Sequence, residues 1–103
     1  MNIERVWADI RHRLKTGTEI KGWSRDKGQT ALTFKIIDIA PGSIIVGSRT
    51  LSKSRTIGKA DFGKIAAVWS DYRQGKINRV ETGKLSQNTS YIFGILKWLE
   101  DGD

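Results

Sequence analysis

The sequence contains no cysteine and only one histidine, His12. The absence of cysteine excludes disulfides and thiolate metal sites, and a single histidine cannot form the usual histidine-rich zinc or iron centre. A metal site would therefore have to consist of carboxylates. We expect neither a metal nor a cofactor.

Long hydrophobic runs are lacking as well. No stretch of the chain approaches the roughly 18 apolar residues that a membrane span requires. The N-terminal residues MNIERVWADIRHRLK mix charged with apolar side chains, whereas a signal peptide needs a continuous apolar segment. We therefore expect a cytoplasmic protein with no membrane partner.

The length and the charge of the chain set the broad class of protein. A chain of 103 residues suffices for one hydrophobic core, so residues 1–103 are predicted to form a single domain. The formal net charge is +7, and a basic surface attracts polyanions. Nucleic acid is the expected partner, with DNA favoured over RNA. Acidic proteins are the alternative partner, and solubility alone is the alternative explanation.

The first half of the chain predicts one helix followed by an antiparallel meander. Apolar residues recur at helical spacing over residues 3–15, with Asn2 as the N-cap. Alternating patterns then predict strands over residues 19–23, 30–39 and 43–49.

Two irregularities are predicted within this meander. The alternation shifts at Ile36, Ile37 and Ile39, which indicates a bulge or burial on both faces. Pro41 and Gly42 follow each other in the order that a type II turn requires.

The second half of the chain is predicted to be helical. Its spacing predicts a helix over residues 60–74, a short helix opened by a capping box of Asn78 and Glu81, and a final helix that ends at Glu100. The predicted fold class is α+β, with an N-terminal helix, a three- to four-stranded antiparallel meander and a C-terminal helical unit. Such a unit permits a helix-turn-helix arrangement. The alternatives for the apolar last helix are a buried core helix and a self-association surface.

Residues 56–100 contain a phenylalanine, a tryptophan and a tyrosine, then a Gly-x-Ile-x-Arg link and an Asn-Thr-Ser-Tyr-Ile helix start. These features resemble a loosely defined group of small, mostly uncharacterised bacterial and phage domains. The matching positions are Phe62, Trp69, Tyr72, Gly75, Ile77, Arg79, Asn88, Ser90, Tyr91 and Ile92. The group accompanies DNA-processing and mobile-element proteins, so the resemblance implies nucleic-acid or partner binding without a defined catalytic activity.

Two sets of residues are the candidate contacts with a phosphate backbone. The first set lies in residues 48–59, which contain no acidic residue; it consists of Arg49, Lys53, Arg55 and Lys59. On an extended strand Arg49, Lys53 and Arg55 would share one face. The alternative interpretation is a solvated edge strand, in which cations prevent aggregation. The second set surrounds the predicted start of the last helix and consists of Arg79, Lys84, Asn88 and Thr89.

No constellation of residues points to catalysis. Glu19 and Lys21 match half of a metal-dependent nuclease motif, but the carboxylate expected on a preceding strand is absent from the sequence. We therefore predict a non-enzymatic module that binds nucleic acid with limited sequence specificity. The alternative is a protein-interaction or homodimeric module that uses Phe93 and Trp98 of the last helix. A metal-dependent nuclease is the remote alternative.

Overall fold

The computed structural model describes residues 2–47 and 54–102. Over these residues the chain forms one helix, an antiparallel sheet and four further helices. In chain order the elements are α1 (Ile3–Arg13), β1 (Glu19–Ser24), β2 (Gly28–Ala40), β3 (Ser43–Gly47), β4 (Arg55–Gly58), α2 (Lys59–Ala66), α3 (Trp69–Arg73), α4 (Arg79–Gly83) and α5 (Thr89–Glu100). The predicted α+β class is confirmed.

Helix α1 begins where the sequence predicts. The Asn2 side chain accepts hydrogen bonds from the backbone N–H groups of Glu4 and Arg5, which have no partner inside the helix. The helix buries Trp7, whose indole N–H donates to the Pro41 carbonyl oxygen over 3.1 Å. This bond attaches α1 to the turn between β2 and β3.

The four strands pair in the order β1-β2-β3-β4, and each pair is antiparallel. Apolar residues stand opposite one another on one face of the sheet, and all of them are buried: Ile20 with Phe34, Ile36 with Val46, and Ile44 with Ile57. On the other face Lys21, Thr33, Lys35 and Thr56 are exposed. The sheet therefore has one face in the core and one in water.

The predicted bulge in β2 is confirmed. The register shifts between Ile36 and Asp38, and the extra residue, Ile37, is 49% exposed. The predicted type II turn is wrong, because that turn needs a positive φ at Gly42 and Gly42 does not have one.

A second irregularity in the sheet was not predicted. Lys21 pairs with Thr33 and Trp23 pairs with Gln29, so three residues of β2 stand opposite Gly22 alone. A Cβ atom at Gly22 would lie 2.3 Å from the Thr30 hydroxyl oxygen. The crowding of β2 against β1 explains why glycine occupies this position.

The helix predicted over residues 60–74 is two helices, α2 and α3. The chain leaves the helical conformation at Val68, where φ is −107° and ψ is 5°. The break allows Trp69 and Tyr72 of α3 to pack against Phe93, with ring centroids at 5.3 and 4.3 Å, and against Trp23. Tertiary contacts of the aromatic rings thus interrupt a helix that the local pattern would continue.

Helix α5 lies at the centre of the core. Every residue from Tyr91 to Leu96 is buried. The helix packs against β1 at Gly94, where a Cβ atom would lie 3.1 Å from the Lys21 carbonyl oxygen and 3.2 Å from the Phe34 ring. A larger residue at this position would require the helix or the sheet to shift by a few tenths of an ångström.

None of the helices in the described residues is long and apolar enough to cross a membrane. The buried apolar residues form one hydrophobic cluster that extends from α1 through the inner face of the sheet to α5.

Gly94→Ala is expected to destabilise the protein by about 1–2 kcal/mol. Overpacking against backbone and ring atoms costs about 1–3 kcal/mol, and alanine recovers up to about 1 kcal/mol through its helix propensity. Gly63→Ala in α2 is the matched control, because the atoms nearest to its Cβ, the first at 3.2 Å, belong to the Ile3 side chain and not to backbone or a ring. Urea unfolding followed by circular dichroism measures both variants. Equal stability of the two variants would contradict the close approach at Gly94.

Candidate nucleic-acid interface

The eight predicted contact residues do not all come together. Arg49 and Lys53 lie outside the described residues. Strand β3 ends at Gly47 and β4 begins at Arg55 in the opposite direction. Of the other six residues, the structure brings Arg55, Arg79 and Asn88 together around the start of α5.

Arg55 lies against the first turn of α5 and, within residues 2–47 and 54–102, contacts neutral groups. Its guanidinium group donates to the Gln87 carbonyl oxygen over 3.2 Å and to the Asn88 side-chain oxygen over 3.1 Å. The guanidinium carbon also lies 5.5 Å from the centroid of the Tyr91 ring. These three contacts hold the side chain in one place without neutralising its charge.

Arg79 lies against the same turn of α5 from the other side. Its guanidinium group donates to the Ser90 hydroxyl oxygen over 2.8 Å and lies 5.7 Å from the centroid of the Phe93 ring. Because an α-helix has 3.6 residues per turn, Ser90 and Phe93 project from the side of α5 opposite Asn88 and Tyr91. The two arginines therefore flank the helix start. We call Arg55 and Arg79 the arginine pair.

Asn88 connects Arg55 to a polar cluster behind it. Its side-chain N–H group donates to the Asp61 carboxylate over 3.0 Å, and the Ser86 hydroxyl donates to the same oxygen over 2.7 Å. Because the Asn88 side chain is engaged in this way, it makes no capping hydrogen bond with the first turn of α5. The asparagine that the sequence places at the helix start orients Arg55 instead of capping the helix.

The charges around the arginine pair remain mostly positive. Among the described residues, neither Arg55 nor Arg79 forms an ion pair with a carboxylate. Asp61 is the acidic group of the cluster, and the Asn88 amide lies between it and Arg55. The start of α5 adds the positive end of a helix dipole.

Thr89 has a different role from the predicted one. It is 1% exposed, and its hydroxyl donates to the carbonyl oxygens of Ser86 and Thr82 over 2.7 and 3.2 Å. The hydroxyl therefore fastens α5 to α4 and is not presented to a phosphate group.

The two lysines of the predicted sets that lie within the described residues, Lys59 and Lys84, take no part in the arginine pair's contacts. Lys59 forms an ion pair with Glu4 of α1, with 2.7 Å between nitrogen and oxygen. Lys84 is exposed at the end of α4. Lys84 is therefore open to a ligand, whereas a phosphate would have to displace Glu4 from Lys59.

The rings that support the arginine pair were given other roles by the sequence: Tyr91 is a matching position of the resemblance and Phe93 belongs to the self-association alternative. Tyr91 and Phe93 have the pattern of core residues, and nothing in the local sequence connects Arg55 with a tyrosine so far along the chain. The sequence feature that drew attention to this part of the chain was the Gly-x-Ile-x-Arg link, which contains Arg79.

The apolar last helix offers little free apolar surface. Phe93 is 1% exposed, and Trp98 is half-buried with the Arg13 guanidinium carbon 5.5 Å from its ring centroid. Of the two residues expected to form a self-association surface, Phe93 is thus used within the fold, whereas Trp98 keeps part of its ring exposed.

The residues of the nuclease alternative do not lie in a cluster of metal ligands. Glu19 stands opposite Lys35 across the sheet. Over residues 2–47 and 54–102, no group of three or more histidine, aspartate or glutamate side chains is arranged to hold a metal ion.

Comparison of the chain with protein-family models, curated proteins and solved structures finds no match. The resemblance of residues 56–100 to small bacterial and phage domains therefore stays a prediction.

Asp61→Ala is expected to destabilise the protein by about 1–3 kcal/mol, because the Asn88 amide and the Ser86 hydroxyl would lose their common acceptor. Asp71→Ala is the matched control: Asp71 also lies in the first turn of a helix but is exposed, so its change tests the helix-dipole contribution alone. Chemical denaturation of both variants measures the difference. If both lose the same stability, the polar cluster does not hold the helix start.

Proposed function

We propose that this protein binds nucleic acid through its phosphate groups, with limited sequence specificity and with DNA as the favoured partner. The observation that carries the proposal is the arrangement of the arginine pair. Two guanidinium groups flank the start of α5, and each is held by neutral acceptors and an aromatic ring.

Such an arrangement suits a phosphate ligand for two physical reasons. A guanidinium group is always charged and presents several donors in one plane, which match phosphate oxygens. The contacts with Asn88 and Ser90 restrict both side chains before a ligand arrives, so less conformational entropy is lost on binding. The positive end of the α5 dipole lies between them.

The same contacts account for the expected limited sequence specificity. Asn88 could read an adenine edge, but its amide is already bonded to Arg55 and Asp61. Thr89 is buried. Gln87 is exposed and could contact a base, but a single such side chain carries little sequence information. The proposal is therefore one of binding, without a catalytic step.

The surplus of positive charge supports the proposal over the whole chain. The net charge is +7. Exposed cations that form no ion pair within the described residues occur on several elements; they include Arg5, Arg11, Lys15, Lys64 and Lys84. They would add long-range attraction for a polyanion.

Affinity for duplex DNA is expected to fall steeply with salt. Four phosphate contacts, two of them from the arginine pair and two from other exposed cations, would give a slope of roughly −3 to −4 in a plot of log affinity against log salt. The double variant Arg55→Gln and Arg79→Gln should flatten this slope by about two, since each phosphate contact contributes about 0.9. Fluorescence anisotropy between about 50 and 200 mM salt measures this effect.

The matched control for charge is Lys27→Gln, in the turn between β1 and β2. Lys27 is exposed and forms no ion pair within the described residues. Its variant therefore removes one charge without breaking an ion pair, at a position far along the chain from the arginine pair. The melting temperature of each variant verifies folding. The proposal fails if the protein binds neither duplex nor single strands at low salt. It also fails if the double variant binds as tightly as the original protein.

A further inference from the structure

A cleft lies between strand β1 and the C-terminal half of α5, away from the helix start that bears the arginine pair. Its volume is about 700 Å³. Two tryptophans, Trp23 and Trp98, line it together with two lysines, Lys21 and Lys97. Gly22 and Gly94 also belong to its wall, so the backbone comes close to the open space there. We call this space the tryptophan cleft.

The two indole rings are held in place by the fold. The Arg13 guanidinium carbon lies 5.5 Å from the centroid of the Trp98 ring, and Arg13 also donates to the Leu99 carbonyl oxygen over 3.2 Å. The Trp23 ring meets the buried Trp69 edge-on at 5.5 Å, and the Arg73 guanidinium carbon and the Lys97 nitrogen lie 5.0 and 5.7 Å from its centroid. Both tryptophans are half-buried, so each keeps part of its surface exposed. Rings that are restrained and still partly exposed are suited to stacking, because little entropy is lost when a planar group binds.

The two lysines of the cleft are available to bind a phosphate group. Lys21 is exposed and has no ion-pair partner within the described part of the chain. Lys97 pairs with Asp101, one turn further along the chain, at 2.6 Å. A partly exposed pair of this kind contributes little stability, so a phosphate group can replace the aspartate. Two carboxylates, Glu19 and Asp101, line the cleft together with the two lysines, so a phosphate group has to replace Asp101 beside Lys97.

We infer that the tryptophan cleft binds an unstacked base of single-stranded nucleic acid, while Lys21 and Lys97 contact the adjoining phosphates. Stacking on aromatic side chains beside a cationic groove is how proteins bind single strands without sequence preference. Bases inside a duplex are already stacked, so the cleft distinguishes single strands from duplexes. The inference rests on the proposed function and adds to it the form of nucleic acid that is bound.

An extended peptide is the less suitable occupant. It would have to add a strand to the edge of the sheet at β1. The backbone of α5 already abuts the Lys21 carbonyl oxygen, since a Cβ atom at Gly94 would lie 3.1 Å from it. The lining combines two indole rings with charged side chains of both signs, which fits a planar base and a phosphate better than it fits an apolar side chain.

The test compares oligo-dT with a duplex of oligo-dT and oligo-dA at low salt. Oligo-dT is expected to quench tryptophan fluorescence. Trp98→Leu should raise the dissociation constant for oligo-dT by about fivefold or more, the lower end of what one stacked base contributes. Trp98→Phe should retain most of the affinity, because phenylalanine still stacks. Neither variant should change the affinity for the duplex, which the arginine pair binds.

A second variant examines Lys97 without altering the core. Asp101→Asn removes the competing carboxylate and should tighten oligo-dT binding by up to about fivefold, the strength of a surface ion pair. Circular dichroism verifies that each variant is folded.

The possible failures are distinguishable. If the duplex binds but oligo-dT binds no differently to Trp98→Leu than to the original protein, the cleft inference is wrong and the proposed function stands. The cleft inference is also wrong if Trp98→Leu weakens both ligands equally, or if Asp101→Asn fails to tighten oligo-dT binding. If neither ligand binds, the proposed function is wrong and the inference fails with it.

Discussion

Helix α5 and strand β1 are separated at Gly94 by the smallest side chain available, and the rest of the structure depends on this contact. A Cβ atom there would lie 3.1 Å from the Lys21 carbonyl oxygen. The close approach brings Ile92 and Ile95 fully into the core, where burial of each such side chain contributes about 1.5–3 kcal/mol. It also determines where both ends of α5 lie relative to the sheet.

The two candidate surfaces follow from the two ends of this helix. At its start, Tyr91 and Phe93 present ring surfaces to Arg55 and Arg79 while their other contacts remain in the core. At its other end, Trp98 lies beside β1 and helps to form the tryptophan cleft. One buried helix therefore supports a charged surface and an aromatic surface, and aromatic side chains take part in both.

Local features of the structure were predictable where one short segment contains all the interacting groups. Asn2 caps α1, and Asn78 with Glu81 forms a capping box at α4, because donors and acceptors lie within three residues of each other. The bulge at Ile37 was visible as a shift in the alternation of apolar residues. Predictions were wrong or incomplete where residues far apart in the chain interact. Aromatic packing interrupts the predicted helix at Val68, and the irregular pairing of β1 with β2 leaves no room for a side chain at Gly22.

The sequence by itself determined the α+β class, the succession of an N-terminal helix, a sheet and a helical unit, and the excess of positive charge, since these follow from composition and from patterns among neighbouring residues. Only the tertiary structure decided what the polar residues near the last helix do. Asn88 orients Arg55 rather than capping α5, and Thr89 is buried rather than presented to a ligand. The physical reason is that hydrogen bonds and burial depend on residues that are brought together from positions far apart in the chain.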